Sequence, residues 1–163
     1  KLSDDIIRKF QIKYDKRTQS IIFPVRDELG RLVGLSRRAI YYKRFELPKF
    51  VNKPIYLLDN IIKNHIRKVY VCESQINALT LESWGFNAIA LLGTGSKYQY
   101  ELLNSTDILQ YILCFDGDEA GKKGDDKFRK NIKKTVFVNS VQIPKGKDVN
   151  DLTKEEFISL QIV

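Results

Sequence analysis

The sequence predicts an α/β fold: a largely parallel sheet flanked by helices, preceded by a smaller basic α+β subdomain. Three observations lead there. From residue 68 onward, short β-branched runs alternate with segments of helical periodicity, the pattern of a parallel sheet covered on both faces. Before that point, two apolar runs flank a polar turn, as in an antiparallel pair. The positive charge is confined to the first part. Residues 1–65 carry 15 Lys+Arg against 7 Asp+Glu, and residues 66–163 carry 13 against 13. The predicted units are therefore 1–65 and 66–163.

The elements follow in order. "SDDIIRKF" reads as a short helix, with Ser3 as N-cap and two aspartates in the first turn. "SIIFPV", "DELG" and "RLVGLS" read as strand, turn and strand. A basic segment broken by Pro48 and Pro54 follows, then a helical "IYLLDNIIKNH". "KVYVC" is a strand, and "ESQINALTLESWG" a helix closed by Gly85. "NAIALLG" is the next strand and "YQYELLNS" a short helix. "YILCF", "AGKKGDDKFRKNIKK" and "TVFVN" are strand, basic helix and strand, and "DVNDLTKEEFISL" closes as a helix.

Composition excludes several classes. At 163 residues and 43% apolar content, the chain builds a core and is not a disordered tail. No apolar run approaches the roughly 18 residues of a membrane span, and no signal peptide is visible. Cys72 and Cys114 sit inside apolar runs and read as buried, reduced thiols, which places the chain in the cytoplasm. His65 is the single histidine and reads as a surface or helix-end residue.

Residues 31–53 hold seven basic residues and one acidic one, including Arg37, Arg38, Lys49 and Lys53. Tyr41, Tyr42, Phe45 and Phe50 lie among them. Cations attract a polyanion and aromatics give bases a stacking surface, so the segment suits single-stranded nucleic acid.

The acids fall at strand ends. Glu73 follows the first strand of the second unit, Asp116 and Asp118 the third, and Asp148 and Asp151 lie after the fourth. The glycine-rich "LGTGS" leaves the second strand. In a parallel sheet all of these share one edge, where α/β folds bind ligands. Converging oxygens on rigid strand ends suit a hard cation such as Mg²⁺, which offsets their repulsion. The backbone of Gly93, Thr94 and Gly95 suits close approach by a phosphate. Lys122 and the cations after it meet a nucleotide phosphate, meet template, or form a solvated face.

Other motifs fail by count. An EF-hand from Asp116 would need acids where Ala120 and Lys127 stand, and a dinucleotide fingerprint from Gly93 would need glycine at Tyr98. No Walker A is present.

"VCESQINALTLESWGFNAIALLGTGS", "ILCFDGDEAGKKG" and "GKDVND" together resemble the Toprim domain shared by DnaG-type primases, topoisomerases and some nucleases. Upstream, "IIFPVRDELGRLVGLSRR" and "PKFVNKP" resemble the amino-terminal part of the RNA polymerase core of bacterial and phage DnaG-type primases. The resemblance implies template-directed primer synthesis on single-stranded DNA from ribonucleoside triphosphates, with one to three Mg²⁺ or Mn²⁺ ions. It implies metal ligation by Glu73, Asp116, Asp118 and Asp148, catalysis by Glu73, Asp116 and Asp118, template contacts by Arg38 and Lys49, and a replicative helicase as partner in a bacterial or phage-infected cell. Two positions depart from the family pattern: Asn77 stands for its second acid, and Asn150 interrupts its late acidic motif. They keep two alternatives open, a Toprim nuclease and a non-catalytic module that binds single-stranded DNA or a helicase.

Overall fold

The computed structural model describes residues 2–42 and 44–163. Lys43, counted above in the basic segment, lies outside the described residues. Helix α1 (Asp4–Lys9) starts at Ser3, whose hydroxyl accepts from the Ile6 N–H at 3.4 Å. Four antiparallel strands follow in sequence order: β1 (Lys13–Asp15), β2 (Ser20–Arg26), β3 (Leu32–Ala39) and β4 (Phe45–Glu46). The β2–β3 pair is the predicted hairpin. Asp27 holds its turn by accepting from the N–H groups of Leu29 and Arg31 at 3.1 and 2.9 Å. Gly30 adopts φ +79° there, a region that costs glycine little. Strands β1 and β4 lack an apolar run and were not predicted; they form because β2 and β3 offer them edges to pair with. Pro24 is tolerated because β1 pairs only with Ser20–Ile22, so its missing N–H falls where β2 has one neighbour.

Helix α2 (Leu58–Lys63) is shorter than the sequence suggests. Tyr56 is drawn off into an antiparallel bridge with Ala90, and Leu57 adopts φ +66°, so the helix starts after them. The second sheet then builds from β5 (Lys68–Cys72), β6 (Ala88–Ala90), β7 (Gln110–Leu113) and β8 (Phe137–Ser140), all parallel, in the order β6-β5-β7-β8. Helices α3 (Gln75–Ser83), α4 (Lys97–Asn104) and α5 (Glu119–Asn131) connect them. The last segment is not one helix. A single 3-10 turn (Val149–Asp151) is capped by Asp148, and α6 (Lys154–Ser159) is capped anew by Thr153. Two capping boxes in succession impose the break. Residues 161–163 lie along β8, with Ser140 and Val163 exchanging backbone hydrogen bonds at 2.7 and 2.9 Å.

Alternating side chains of the parallel strands feed two apolar clusters, one per face. Val69, Val71, Ile89, Leu91 and Leu113 pack with α2, α4 and α5. Tyr70, Cys72, Ala90 and Ile112 pack with α3 and α6 on the other face. That second cluster also takes in Ile6, Ile12 and Phe23 from the first unit, so one apolar core joins the antiparallel and parallel sheets. Both cysteines are free and buried, as expected. Among the described residues no helix is long and apolar enough to cross a membrane.

Candidate functional site

All three acidic stations lie at the carboxyl ends of parallel strands. Glu73 leaves β5 one residue before Ser74, the N-cap of α3. Asp116 lies three residues beyond the end of β7, and Asp118 is the N-cap of α5, accepting from the Gly121 N–H at 2.8 Å. Asp148 caps the 3-10 turn and exchanges hydrogen bonds with Asp151 at 3.0 and 3.1 Å. The loop before Asp148 is strapped to the D-G-D turn: Gly117 N–H donates to the Lys147 carbonyl, and Gly146 N–H to the Gly117 carbonyl, both at 3.0 Å. The turn allows no Cβ at two positions. One on Gly117 would sit 2.1 Å from the Pro144 carbonyl oxygen, and one on Gly121 2.0 Å from that of Asp116.

The acids feel one another. Burial, then Asp148, Asp118 and Asp151, push the Asp116 carboxyl up to about 6. Burial and the charge of Asp116 raise Glu73, and burial and Asp151 raise Asp148, with Arg38 opposing. Glu73 Oε1 is buried and has no hydrogen-bond partner among the described residues. An all-oxygen set of mutually repelling carboxylates with an orphaned buried oxygen fits a hard divalent cation. Among the described residues, no three His, Cys, Asp or Glu side chains close into a preformed cage. Mg²⁺ needs none, because it keeps water and takes few carboxylates. A cleft of about 840 Å³ opens beside Asp116 and Asp118, lined also by Lys122, Asp125, Arg129 and Lys145.

The basic residues divide. Arg38 is exposed on β3 near enough to Asp148 to bias its charge, so the first sheet reaches the acidic edge. Arg37 lies 3.7 Å from Asp15. Lys49 is exposed. Lys53 instead donates to the Leu92 carbonyl at 3.0 Å, at the glycine turn. That turn follows β6, and its Gly93 N–H donates to the Glu73 carbonyl at 2.9 Å. Lys122 pairs with Glu119 at 2.8 Å, while Lys127, not singled out in the sequence, donates to the Gly95 carbonyl at 2.7 Å.

Two further contacts escaped the sequence reading. Asn77, 1% exposed, donates to Asp116 Oδ1 at 3.4 Å and accepts from the Asn150 N–H at 3.2 Å. Ser36 Oγ on β3 donates to Gln75 Oε1 on α3 at 2.6 Å in a buried bond between the two sheets' surroundings. The sequence marked Asn77 only as a departure from a pattern; nothing in it signalled Ser36 with Gln75.

Comparison with known proteins adds the family. A Toprim-like family model matches residues 70–153, about half the chain. The DNA primase of Buchnera aphidicola is 31% identical over 164 aligned residues, covering 88% of this chain and 27% of that protein. The chain thus spans about a quarter of that relative's length. A solved DnaG primase catalytic domain bound to single-stranded DNA superposes with a TM-score of 0.79 at 21% identity, over 95% of this chain and 64% of that one. The primase fragment of the bacteriophage T7 primase-helicase protein gives 0.73 at 22% identity, over 92% and 65%. With the fold of a DnaG-type primase core and strand-end acids inside the matched segment, this chain belongs to the Toprim-like family.

Proposed function

We propose that this chain is a DNA primase catalytic core that makes short RNA primers on single-stranded DNA by metal-dependent nucleotidyl transfer. One observation carries the reading: Glu73, Asp116 and Asp148 gather at one sheet edge, where burial and neighbouring aspartates raise each carboxyl, and Arg38 of the basic sheet reaches the same edge. The sequence similarity to DNA primases along most of the chain supports it.

In this reading residues 1–65 guide template and residues 66–163 form the Toprim catalytic domain. Arg37, Arg38, Lys49 and Lys53 hold template phosphates. Glu73, Asp116, Asp118 and Asp148 would hold Mg²⁺ or Mn²⁺, one to three ions, and the bound metal supplies charge neutralisation on the phosphates. A primer 3′-hydroxyl attacks the α-phosphate of the next ribonucleoside triphosphate and pyrophosphate leaves. Glu73, with its unpaired buried oxygen, accepts the proton of that hydroxyl or orients a water that does. The Gly93–Gly95 turn and Lys122 face phosphate. The cell context is the cytoplasm of a bacterium or phage-infected host, with a replicative helicase as partner.

The test is incorporation of labelled ribonucleotides on single-stranded DNA with Mg²⁺ or Mn²⁺. Template-dependent products support the reading. Degradation of labelled DNA without added nucleotides replaces it with a nuclease, and binding without either reaction leaves a non-catalytic module.

A further inference from the structure

Among the described residues, three buried side-chain atoms have no hydrogen-bond partner: Tyr56 Oη, Glu73 Oε1 and Gln75 Nε2. The last two stand two residues apart, on the bend between β5 and α3. One is an acceptor and the other a donor, so each supplies what the other lacks. Ser74 between them is extended, with φ −111° and ψ 152°. Neighbours across an extended residue project to the same side, and two residues of extended chain span about 6.6 Å. Parallel side chains at that spacing are too far apart for a direct bond. Two successive hydrogen bonds through one water cover about 5.6 Å and close the gap.

The Gln75 amide is anchored at its other end. Its Oε1 accepts from Ser36 Oγ at 2.6 Å, and the two residues are 2% and 0% exposed. With the oxygen held there, the NH₂ group faces away from Ser36. Ser36 lies two residues before Arg38 and on the same face of β3, so the anchor belongs to the basic sheet. Packing does not explain the amide. A buried amide with an unused donor is disfavoured against an apolar side chain of equal length. Helix α3 already holds one acid through a side-chain amide: Asn77, two residues on, donates to Asp116 Oδ1 at 3.4 Å.

We propose that Gln75 is a positioning residue for Glu73: its amide nitrogen donates to a water that in turn donates to Glu73 Oε1. The water fixes the rotamer of the carboxylate and thereby its affinity for a divalent cation. Ligating carboxylates are held by outer hydrogen-bond partners of this kind, and losing one typically weakens metal binding about 10- to 100-fold. The proposal rests on Glu73 as a metal ligand in the primer-synthesis reading. Of the two roles open to Glu73 there, it selects the one that works through an oriented water. Ser36 makes the strand of Arg38 the anchor of the arrangement.

The experiment measures metal binding, not turnover. Mn²⁺ affinity is read by electron paramagnetic resonance on the intact chain, without nucleotide or template. The variants are Gln75→Met, Gln75→Met with Ser36→Ala, Glu73→Gln, and Glu73→Gln with Gln75→Met. Methionine keeps the length of the side chain and removes the amide. Adding Ser36→Ala leaves no hydroxyl buried without a partner, so that paired variant folds, as a melt in EDTA verifies. Gln75→Met and the paired variant are each expected to bind Mn²⁺ about tenfold more weakly. In the Glu73→Gln background, Gln75→Met is expected to add no further loss, because Gln75 acts through that carboxylate. Wild-type affinity in the paired variant overturns the proposal. A loss of the same size in the Glu73→Gln background also overturns it, since Gln75 would then reach the metal through packing alone. Unchanged affinity in Glu73→Gln itself removes Glu73 from the metal site, and the proposal with it. A chain that shows the Gln75 effect yet incorporates no ribonucleotide keeps the proposal and sinks primer synthesis, so the two fail separately.

Discussion

Asn77 Nδ2 stands 3.4 Å from Asp116 Oδ1, and its own Oδ1 takes the Asn150 N–H at 3.2 Å. One buried amide therefore spans from the strand-end aspartate to the loop that carries Asp148. A carboxylate in its place would have no hydrogen to give Asp116.

That bridge makes the first prediction. Asn77→Ala leaves a backbone N–H and a carboxylate oxygen short of partners and is expected to cost about 1–3 kcal/mol. Asn77→Asp adds a charge beside Asp116, lowering the melting temperature in EDTA more than in MgCl₂. Melts in the two buffers check both. Equal losses with and without Mg²⁺ would leave residue 77 with a packing role only.

The two aspartates of the D-G-D turn behave differently. Asp116 is held at about 6 in the folded chain against 3.8 as its ordinary value, so its contribution to stability is full below pH 4 and is lost as pH rises through 6. A shift of that size is worth about 3 kcal/mol for a fully desolvated group, and solvent exposure cuts it to about 1 kcal/mol. In EDTA, Asp116→Asn is expected to melt higher than wild type at pH 7.5, with the difference shrinking as pH falls through 6 and gone below about pH 4, while abolishing incorporation. Asp118→Ala removes the N-cap of α5 and lowers stability by about 1 kcal/mol at either pH, also without activity. Thermal melts across pH give the comparison, and near-normal incorporation in both variants would remove the metal-site reading.

Glu73→Gln keeps shape but takes no proton. Template binding is expected to survive, and extension to slow at least about 100-fold. Wild-type extension would leave Glu73 as a structural residue near the start of α3.

Gly121→Ala is expected to lower stability by about 1–3 kcal/mol and to reduce activity, since the new methyl meets the Asp116 carbonyl. Unfolding in urea measures the first effect. A variant as stable as wild type would mean the turn yields freely.

Arg38→Ala with Lys49→Ala is expected to weaken single-stranded DNA binding regardless of sequence. Each lost phosphate contact lowers the log–log salt slope by roughly 0.7. An unchanged slope in the double variant moves the template path off β3.

Much of this was legible in the sequence, for local reasons. The Ser3 cap, the β2–β3 hairpin and the four parallel strands are each written in a few adjacent residues. Chain order in a parallel sheet then places Glu73, Asp116, Asp118 and Asp148 at one edge without any knowledge of contacts. What escaped depends on partners far along the chain. β1 and β4 are strands only because of the edges they meet, and α2 loses its first residues to Ala90. Ser36 and Gln75 are 39 residues apart, and Lys127 and Gly95 are 32 apart. No periodicity or cap announces such pairs.

Ile6, Ile12 and Phe23 share a core with Tyr70, Cys72 and Ile112, and Lys9 reaches Glu82 at 3.0 Å across the same boundary. The basic sheet and the acidic edge are therefore tied to each other through one shared apolar core and an ion pair. In the proposed reading, a template strand laid along Arg38 would meet the acids at an offset set when the chain folds. The loss of orientational freedom that such alignment demands would then be incurred once, during folding, and not afresh with each nucleotide.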